Sequence, residues 1–399
     1  MPSSIAWVDT TPAQHRAARE LVSLFSQPDT RDELGVGQVR DVLSNLMFPG
    51  ITVLQTRARY YLFVPWCYKV GVRRSGRTYA TVADAAHAVE RQLIRTLMKA
   101  DDTSGLIGGR VGDSVVNLPS AMFWVGLEKF GIVRQSTGMG SIGARAVHIE
   151  GETEIVERTQ RDWDPEMPEV PADFPRTVEG GFALRPDEAE WLAERILLAQ
   201  GHTLLGDLVV RPVGAYRDAD YPWEAERRQD LPEVEHSRHF SLAAECLTRL
   251  YALQVAEAYD RNHRLTKHGT DVRDRILGSF TGWRDDNGQE LDALTQWDEE
   301  DFWAMVRSRN PRIHPTTESL FRELGRALRE GSSLPDDRQL SNIIRHRESR
   351  KGAKSRLQNP SMLQTWSRYD GAGRISYRWS NVVRILSEIA DARDRNVVA

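Results

Sequence analysis

The chain has 399 residues and carries 53 Lys or Arg against 57 Asp or Glu, a formal net charge of −4 at pH 7. Apolar residues make up 40% and charged residues 28%, as in ordinary soluble globular proteins, and the length allows two or three domains. Two cysteines far apart, Cys67 and Cys246, argue against a disulfide framework or a cysteine zinc site. No signal-peptide pattern and no apolar run of ~20 residues is evident, so we expect a cytoplasmic protein without membrane contact.

The first 133 residues predict an N-terminal helical domain. Thr11 followed by Pro12 is a typical helix start, and this helix should continue to about Gln27. Residues 55–70 are apolar on nearly all sides, which is typical of a buried element, and we favour a helix disturbed at Pro65. Apolar spacing and helix start signals predict three more helices, over residues 37–47, 81–98 and 119–131.

A change of composition predicts an acidic linker or large surface loop over residues 134–182. Residues 150–181 hold ten acids against three arginines and four prolines, a composition that buries little apolar surface. The stretch 138–143 matches G-x-G-x-x-G, but its flanks read neither as the strand nor as the helix that a dinucleotide site needs. We therefore interpret this stretch as flexible. In the whole chain we expect only short pieces of strand, near residues 5–8 and 145–157.

Helical spacing returns in residues 183–399, which predict a C-terminal helical domain. The strongest pattern, residues 237–259, is broad and apolar and predicts the central core helix of this half. Shorter helices are predicted over residues 186–199, 298–308, 316–330, 336–348 and 376–394. The predicted fold class is mainly α, with two packed helical parts joined by the 134–182 segment and little strand.

No motif identifies a reaction. The chain contains no G-x-x-x-x-G-K-[ST] phosphate loop, no H-E-x-x-H or paired C-x-x-C zinc pattern, and no G-x-S-x-G. We predict no cofactor and no metal site, and we assign no catalytic residue. Metal ligands far apart in the sequence can still meet in a fold, so a metal-dependent nuclease with dispersed carboxylates remains an alternative.

Positive charge is concentrated in one stretch near the C-terminus, residues 338–384, which we call the basic segment. It holds eleven Lys or Arg against two acids, Glu348 and Asp370, and so carries +9 in a chain that is negative overall. Such a concentration is typical of a surface that meets an anion, and phosphate contacts supply most of the non-specific affinity for nucleic acids.

Six cations fall within twelve residues of the basic segment, followed by aromatic residues and further arginines. The cations predicted to hold phosphates are Arg345, Arg347, Arg350, Lys351, Lys354 and Arg356. Trp366 or Tyr369 could stack on a base, and Arg374 and Arg378 extend the predicted set. If six cations each neutralise a duplex phosphate, the logarithm of affinity should fall against that of salt with a slope of about −5.

Two other interpretations of the basic segment stay open. Its cations could pair with acids of the same chain, including those of residues 150–181, and its aromatic residues could belong to the core. Trp379 follows a helical spacing with Val382 and Leu386, which favours core for this residue. Alternatively, the basic segment could dock on an acidic protein surface, which would make the protein a scaffold.

Seven short stretches resemble one bacterial family. They are residues 4–9, 24–27, 31–35, 56–60, 63–66, 345–352 and 377–379. On these stretches the chain resembles the family called domain of unknown function 6361 from end to end. We associate this family with anti-phage defence loci, beside helicase or nuclease genes. The resemblance therefore implies an accessory protein that handles nucleic acid, with neighbouring defence proteins as partners, and it carries over no catalytic residue. We expect a non-enzymatic protein that contacts DNA or RNA.

Overall fold

A computed structural model describes residues 34–75, 81–134, 162–263, 272–368, 371 and 373–397. This described part contains fourteen α-helices and no strand, which confirms the predicted mainly helical fold. The helix predicted from Thr11, the G-x-G-x-x-G stretch and the short strands near residues 5–8 and 145–157 lie outside the described residues. Within the same ranges, every helix is too short or too polar to cross a bilayer.

The helices are numbered here in chain order. The first seven are α1 (Gly37–Met47), α2 (Tyr60–Arg74), α3 (Val82–Leu97), α4 (Pro119–Lys129), α5 (Pro186–Gln200), α6 (Leu204–Leu208) and α7 (Pro232–His263). The others are α8 (Val272–Asp286), α9 (Gly288–Leu294), α10 (Glu299–Arg309), α11 (Pro315–Arg329), α12 (Arg338–Ser349), α13 (Pro360–Gln364) and α14 (Trp379–Val397). Every helix predicted within the described residues is present, while α6, α8, α9 and α13 were not predicted.

The described residues form two compact units. Unit 1 contains residues 44–231 and 378–397, and unit 2 contains residues 34–43 and 232–377, each over its described part. The division differs from the sequence ranges 1–133 and 183–399. The physical reason is that α14, although last in the chain, packs against α5 within unit 1.

The centre of unit 1 is α2, in which residues 60–68 are all buried. Tyr60, Phe63 and Trp66 are fully buried in a cluster of aromatic rings, and α2 packs most closely on α3. Gly71 allows this approach, because a Cβ at that position would lie 2.8 Å from the backbone nitrogen of Ala86. The predicted helix is thus confirmed, and it passes through Pro65 without ending.

Part of the segment predicted as a linker belongs to the core of unit 1. The rings of Phe174 and Phe182 lie against α2, with centroids 5.4 Å from Trp66 and 5.3 Å from Tyr60, respectively. Trp163 is fully buried as well. These three aromatic residues lie within the predicted linker, residues 134–182, whose acidic composition indicated an exposed loop.

A buried ion pair joins α2 to α5 in unit 1. One edge of the Arg59 guanidinium faces the carboxylate of Glu188, with Nε and Nη2 each 2.9 Å from a carboxylate oxygen. Glu188 is fully buried, and it also accepts a hydrogen bond from the backbone of Arg185 at the start of α5. The pair compensates both charges. Without its partner, either buried charge would cost on the order of 3–5 kcal/mol.

A second buried carboxyl of unit 1 lies between α3 and α4. Glu90 is fully buried and accepts hydrogen bonds from the backbone nitrogen (2.7 Å) and the hydroxyl (2.9 Å) of Ser120. Burial raises the pKa of Glu90 to about 7, although both hydrogen bonds and Arg91 act in the opposite direction. The carboxyl therefore titrates near neutral pH in the folded protein.

Unit 2 is organised around α7, the long helix predicted as its core. Phe240 of α7 stacks on Phe321 of α11 and Phe302 of α10, with centroids 4.7 and 5.5 Å apart. Helices α8, α9, α12 and α13 also pack on α7. This arrangement fixes α12 and the turns after it, which carry most of the predicted phosphate contacts.

Candidate nucleic-acid interface

The densest part of the basic segment spans the end of α12 and a following 3-10 turn in unit 2. Asp337 begins α12 by accepting a hydrogen bond from the backbone of Leu340. The helix ends at Ser349, and the turn Gly352–Lys354 follows. Asn359 donates a hydrogen bond to the carbonyl of Ala353 and caps α13, which closes the turn. The backbone that carries these cations is therefore held by a helix, a turn and their capping hydrogen bonds.

Two cations of the basic segment, Lys351 and Arg356, lie close to the buried acid Glu348. Glu348 is fully buried, with Oε1 accepting from the backbone of Arg356 (2.7 Å) and Oε2 lying 2.5 Å from Lys351 Nζ. Lys351 also lies over the ring of Tyr251 on α7, 5.1 Å from its centroid, and Arg356 is buried beside the same tyrosine. Glu348 thus compensates the charge of Lys351, and both cations lie against Tyr251 of α7.

Arg347 is also directed into unit 2. Its Nε donates to the carbonyl of Leu34 (3.0 Å) and its Nη1 to the hydroxyl of Thr316 (2.9 Å). The guanidinium fills the space beside Gly35, where a Cβ would lie 1.5 Å from Nη2. Gly35 also has a φ of +75°, a conformation that favours glycine. Close packing of Arg347 therefore requires glycine at this position.

Replacing Gly35 by Ala should lower the free energy of unfolding by about 2 kcal/mol or more, because backbone strain adds to the clash with Arg347. Gly352→Ala is the matched control, since Gly352 has a φ of +56° and an added Cβ there would meet nothing within 4 Å. The control should cost only the backbone strain, roughly 1 kcal/mol. Urea denaturation measures both changes. Equal losses for the two variants would contradict the packing described for Arg347.

The last four predicted residues, Trp366, Tyr369, Arg374 and Arg378, have different surroundings. Trp366 is buried, and its ring meets the edge of Tyr259 on α7, so it presents no open face for stacking. Arg374 pairs with Glu245 (3.5 Å) and Glu290 (2.5 Å). Tyr369 lies outside the described residues. Arg378 belongs to unit 1, where it donates to the side chain of Asn45 and the carbonyl of Ile51, and Trp379 is core, as predicted.

Three of the predicted phosphate-binding cations remain on the surface. Arg345 is half exposed and lies 3.7 Å from an exposed carboxylate, that of Glu257. Arg350 and Lys354 are exposed, and within the described ranges neither is paired with a carboxylate. Arg350 instead contacts His314, with Nη2 2.9 Å from Nε2. The structure thus leaves a smaller cationic face than the ten residues that the sequence predicted.

A loop that the sequence analysis did not single out adds to this face. It joins α10 to α11 and carries the exposed residues Arg312 and His314, next to exposed Arg309 at the end of α10. Partial desolvation, followed by the charges of Arg350 and Arg347, lowers the pKa of His314 below its usual value. A sequence signal existed, because residues 302–317 contain three arginines and no acid. Of these side chains, His314 contacts the basic segment through Arg350, and we call Arg345, Arg350, Lys354 and His314 the open cationic face.

The comparisons with known proteins give a family and no activity. A family model described as "Family of unknown function (DUF6361)" matches residues 2–393. No curated protein and no solved structure shows significant similarity to the chain. In the described part of the chain, no three His, Cys, Asp or Glu side chains are grouped so that they could hold a metal ion.

Proposed function

The chain belongs to the DUF6361 family, and from that premise we propose that it is a nucleic-acid-associated accessory protein that holds phosphates on the open cationic face of unit 2. The role in bacterial anti-phage defence, with neighbouring defence proteins as partners, is part of the same proposal and is supported only by the family resemblance. No catalytic step is part of the proposal.

One observation supports the phosphate contact above the others. Arg350 and Lys354 carry full charges on the surface of an acidic protein, yet within the described residues no carboxylate is paired with them. By contrast, Lys351 and Arg374 each lie 2.5 Å from a carboxylate oxygen of unit 2. Cations that are left uncompensated on ordered backbone are those that an external phosphate can neutralise.

The number of open cations changes the expected salt dependence. Binding to duplex DNA releases about 0.9 counterions for each phosphate that a cation neutralises, and about 0.7 for a single strand. Six cations give a slope of about −5, whereas the three cations of the open cationic face give about −3 for a duplex and about −2 for a single strand. The slope therefore distinguishes the full predicted set from the smaller set that the geometry supports.

The test is the affinity for labelled duplex and single-stranded DNA and RNA, measured by fluorescence anisotropy over a range of salt at about pH 8. We expect a slope near −3 for a duplex. The combined variant Arg345→Ala, Arg350→Ala and Lys354→Ala should bring the slope close to zero, because the three phosphate contacts are removed.

Arg284→Ala is the matched control, since Arg284 is an arginine of similar exposure on α8 of unit 2, outside the open cationic face. This variant should keep the slope of the unchanged protein. Absence of binding at low salt, or a slope that the triple variant leaves intact, would contradict the proposed function.

A further inference from the structure

Arg350 and His314 meet across two elements of unit 2. Arg350 follows the last turn of α12, and His314 is the residue that caps α11. The guanidinium places Nη2 2.9 Å from Nε2 of the imidazole and Nη1 3.5 Å from the hydroxyl of Thr316. Both side chains are exposed, so a molecule from solution can reach the point where they meet.

The hydrogen-bonding capacity of His314 makes this contact conditional on its protonation. A guanidinium only donates hydrogen bonds, so Nε2 must be bare to accept from Arg350. In this tautomer the ring proton sits on Nδ1 and points to the hydroxyl oxygen of Thr316, 2.9 Å away. It takes the place of the cap in which Nδ1 accepts from the backbone nitrogen of Thr316 at 3.2 Å, so the hydrogen bond from Arg350 and the cap of α11 are alternatives. A second proton on Nε2 would point at Arg350, and two donors would face each other at 2.9 Å. The observed contact therefore belongs to neutral His314.

The groups around His314 favour an anion at this point. From α12, Arg350 and Arg347 both act on it with positive charge. On α11, the nearest acid in sequence is Glu318, which already accepts from Arg307 and Arg322. An oxyanion placed between Arg350 and His314 would accept from both, and it would remove the conflict that a second proton creates.

We propose that Arg350 and His314 together form a phosphodiester site in which one phosphate oxygen accepts a hydrogen bond from Arg350 Nη2 and another from protonated His314 Nε2. Binding moves one proton from solvent onto Nε2 and breaks the direct contact between the two side chains. No covalent bond changes. This inference rests on the proposed function and adds to it a proton that is taken up together with the nucleic acid.

The first test is the affinity for a labelled oligothymidylate at about pH 6 and about pH 8, a range in which His titrates while the phosphodiester charge is constant. We expect binding about three- to tenfold tighter at the lower pH, because a proton taken up on binding favours the complex as pH falls. His314→Asn should remove this difference. Asparagine can still cap α11, so the variant keeps the helix start.

His346→Asn is the matched control, since His346 is an exposed histidine on α12 near the same face. It should keep the difference between the two pH values. Calorimetry in two buffers of different ionisation enthalpy provides a second readout, with up to one proton taken up per site near neutral pH and none for His314→Asn.

The outcomes separate this inference from the proposed function. A normal salt slope at about pH 8 with equal affinities at both pH values would overturn the proton-coupled site and leave the proposed function standing. Loss of the pH difference in His346→Asn and not in His314→Asn would also overturn it. Absence of salt-dependent binding at both pH values would overturn both proposals.

Discussion

Replacing Glu188 by Gln is expected to lower the free energy of unfolding by about 3–5 kcal/mol, because the variant leaves the Arg59 guanidinium charged and buried without its counter-charge. Both side chains are almost inaccessible, with exposed fractions of 3% for Arg59 and 0% for Glu188. Solvent therefore cannot replace the lost carboxylate. Urea denaturation, followed by tryptophan fluorescence and circular dichroism, measures the change.

Glu190→Gln is the matched control for Glu188→Gln. Glu190 lies on the same helix, α5, and pairs with Arg393 at 2.7 Å, but its side chain is 54% exposed. Its replacement should cost less than about 1 kcal/mol, because exposed ion pairs contribute little. Replacing Arg59 by Met and Glu188 by Leu together should cost less than Glu188→Gln alone, since no buried charge is left. Equal losses for the two single variants would contradict the role given to the buried pair.

Stability should depend on pH through Glu90. Its pKa is raised to about 7 in the folded protein from a usual value of 4.5, so the folded state binds the proton more tightly than the unfolded chain. Stability from this group is therefore fully present below about pH 4.5 and is lost as pH rises towards about 7. The whole effect is on the order of 3 kcal/mol.

Glu90→Gln tests this dependence, because glutamine resembles the protonated carboxyl and can keep both hydrogen bonds to Ser120. The two proteins should be about equally stable near pH 5, and the variant should be more stable near pH 8 by up to ~3 kcal/mol. The measurement is urea denaturation of both proteins across this pH range. A difference that does not change with pH would show that Glu90 keeps an ordinary pKa when folded.

Much of the helical fold could be predicted from local signals. Thr81, Pro119 and Pro186 mark helix starts that the structure confirms, because capping and proline geometry are properties of the local sequence. Helix α8 was not predicted, since polar and charged residues separate its few buried side chains. The core position of Trp163 was not predicted either, because it depends on partners distant in sequence.

The candidate site could be located only approximately. The concentration of cations in residues 345–356 indicated the part of unit 2 that carries most of the open cationic face, but charge counting cannot tell which cations face inward. Lys351 pairs with buried Glu348, and Arg356 is buried beside Tyr251, and both positions depend on tertiary packing. The part played by His314 depends on its distance from Arg350, and the two are 36 positions apart in the chain.

The last helix of unit 1 is translated only after the whole of unit 2. A ribosome completes residues 232–377 before α14 emerges, yet α14 carries Glu388, which accepts from the backbone of Ala58 at 2.7 Å and pairs with Arg57 at 2.6 Å. A nascent chain halted at the end of unit 2 would therefore leave α5 without its packing partner and Arg57 without one of its two carboxylates. Unit 1 therefore receives its last helix only after unit 2 has been translated, although its first helices are made early.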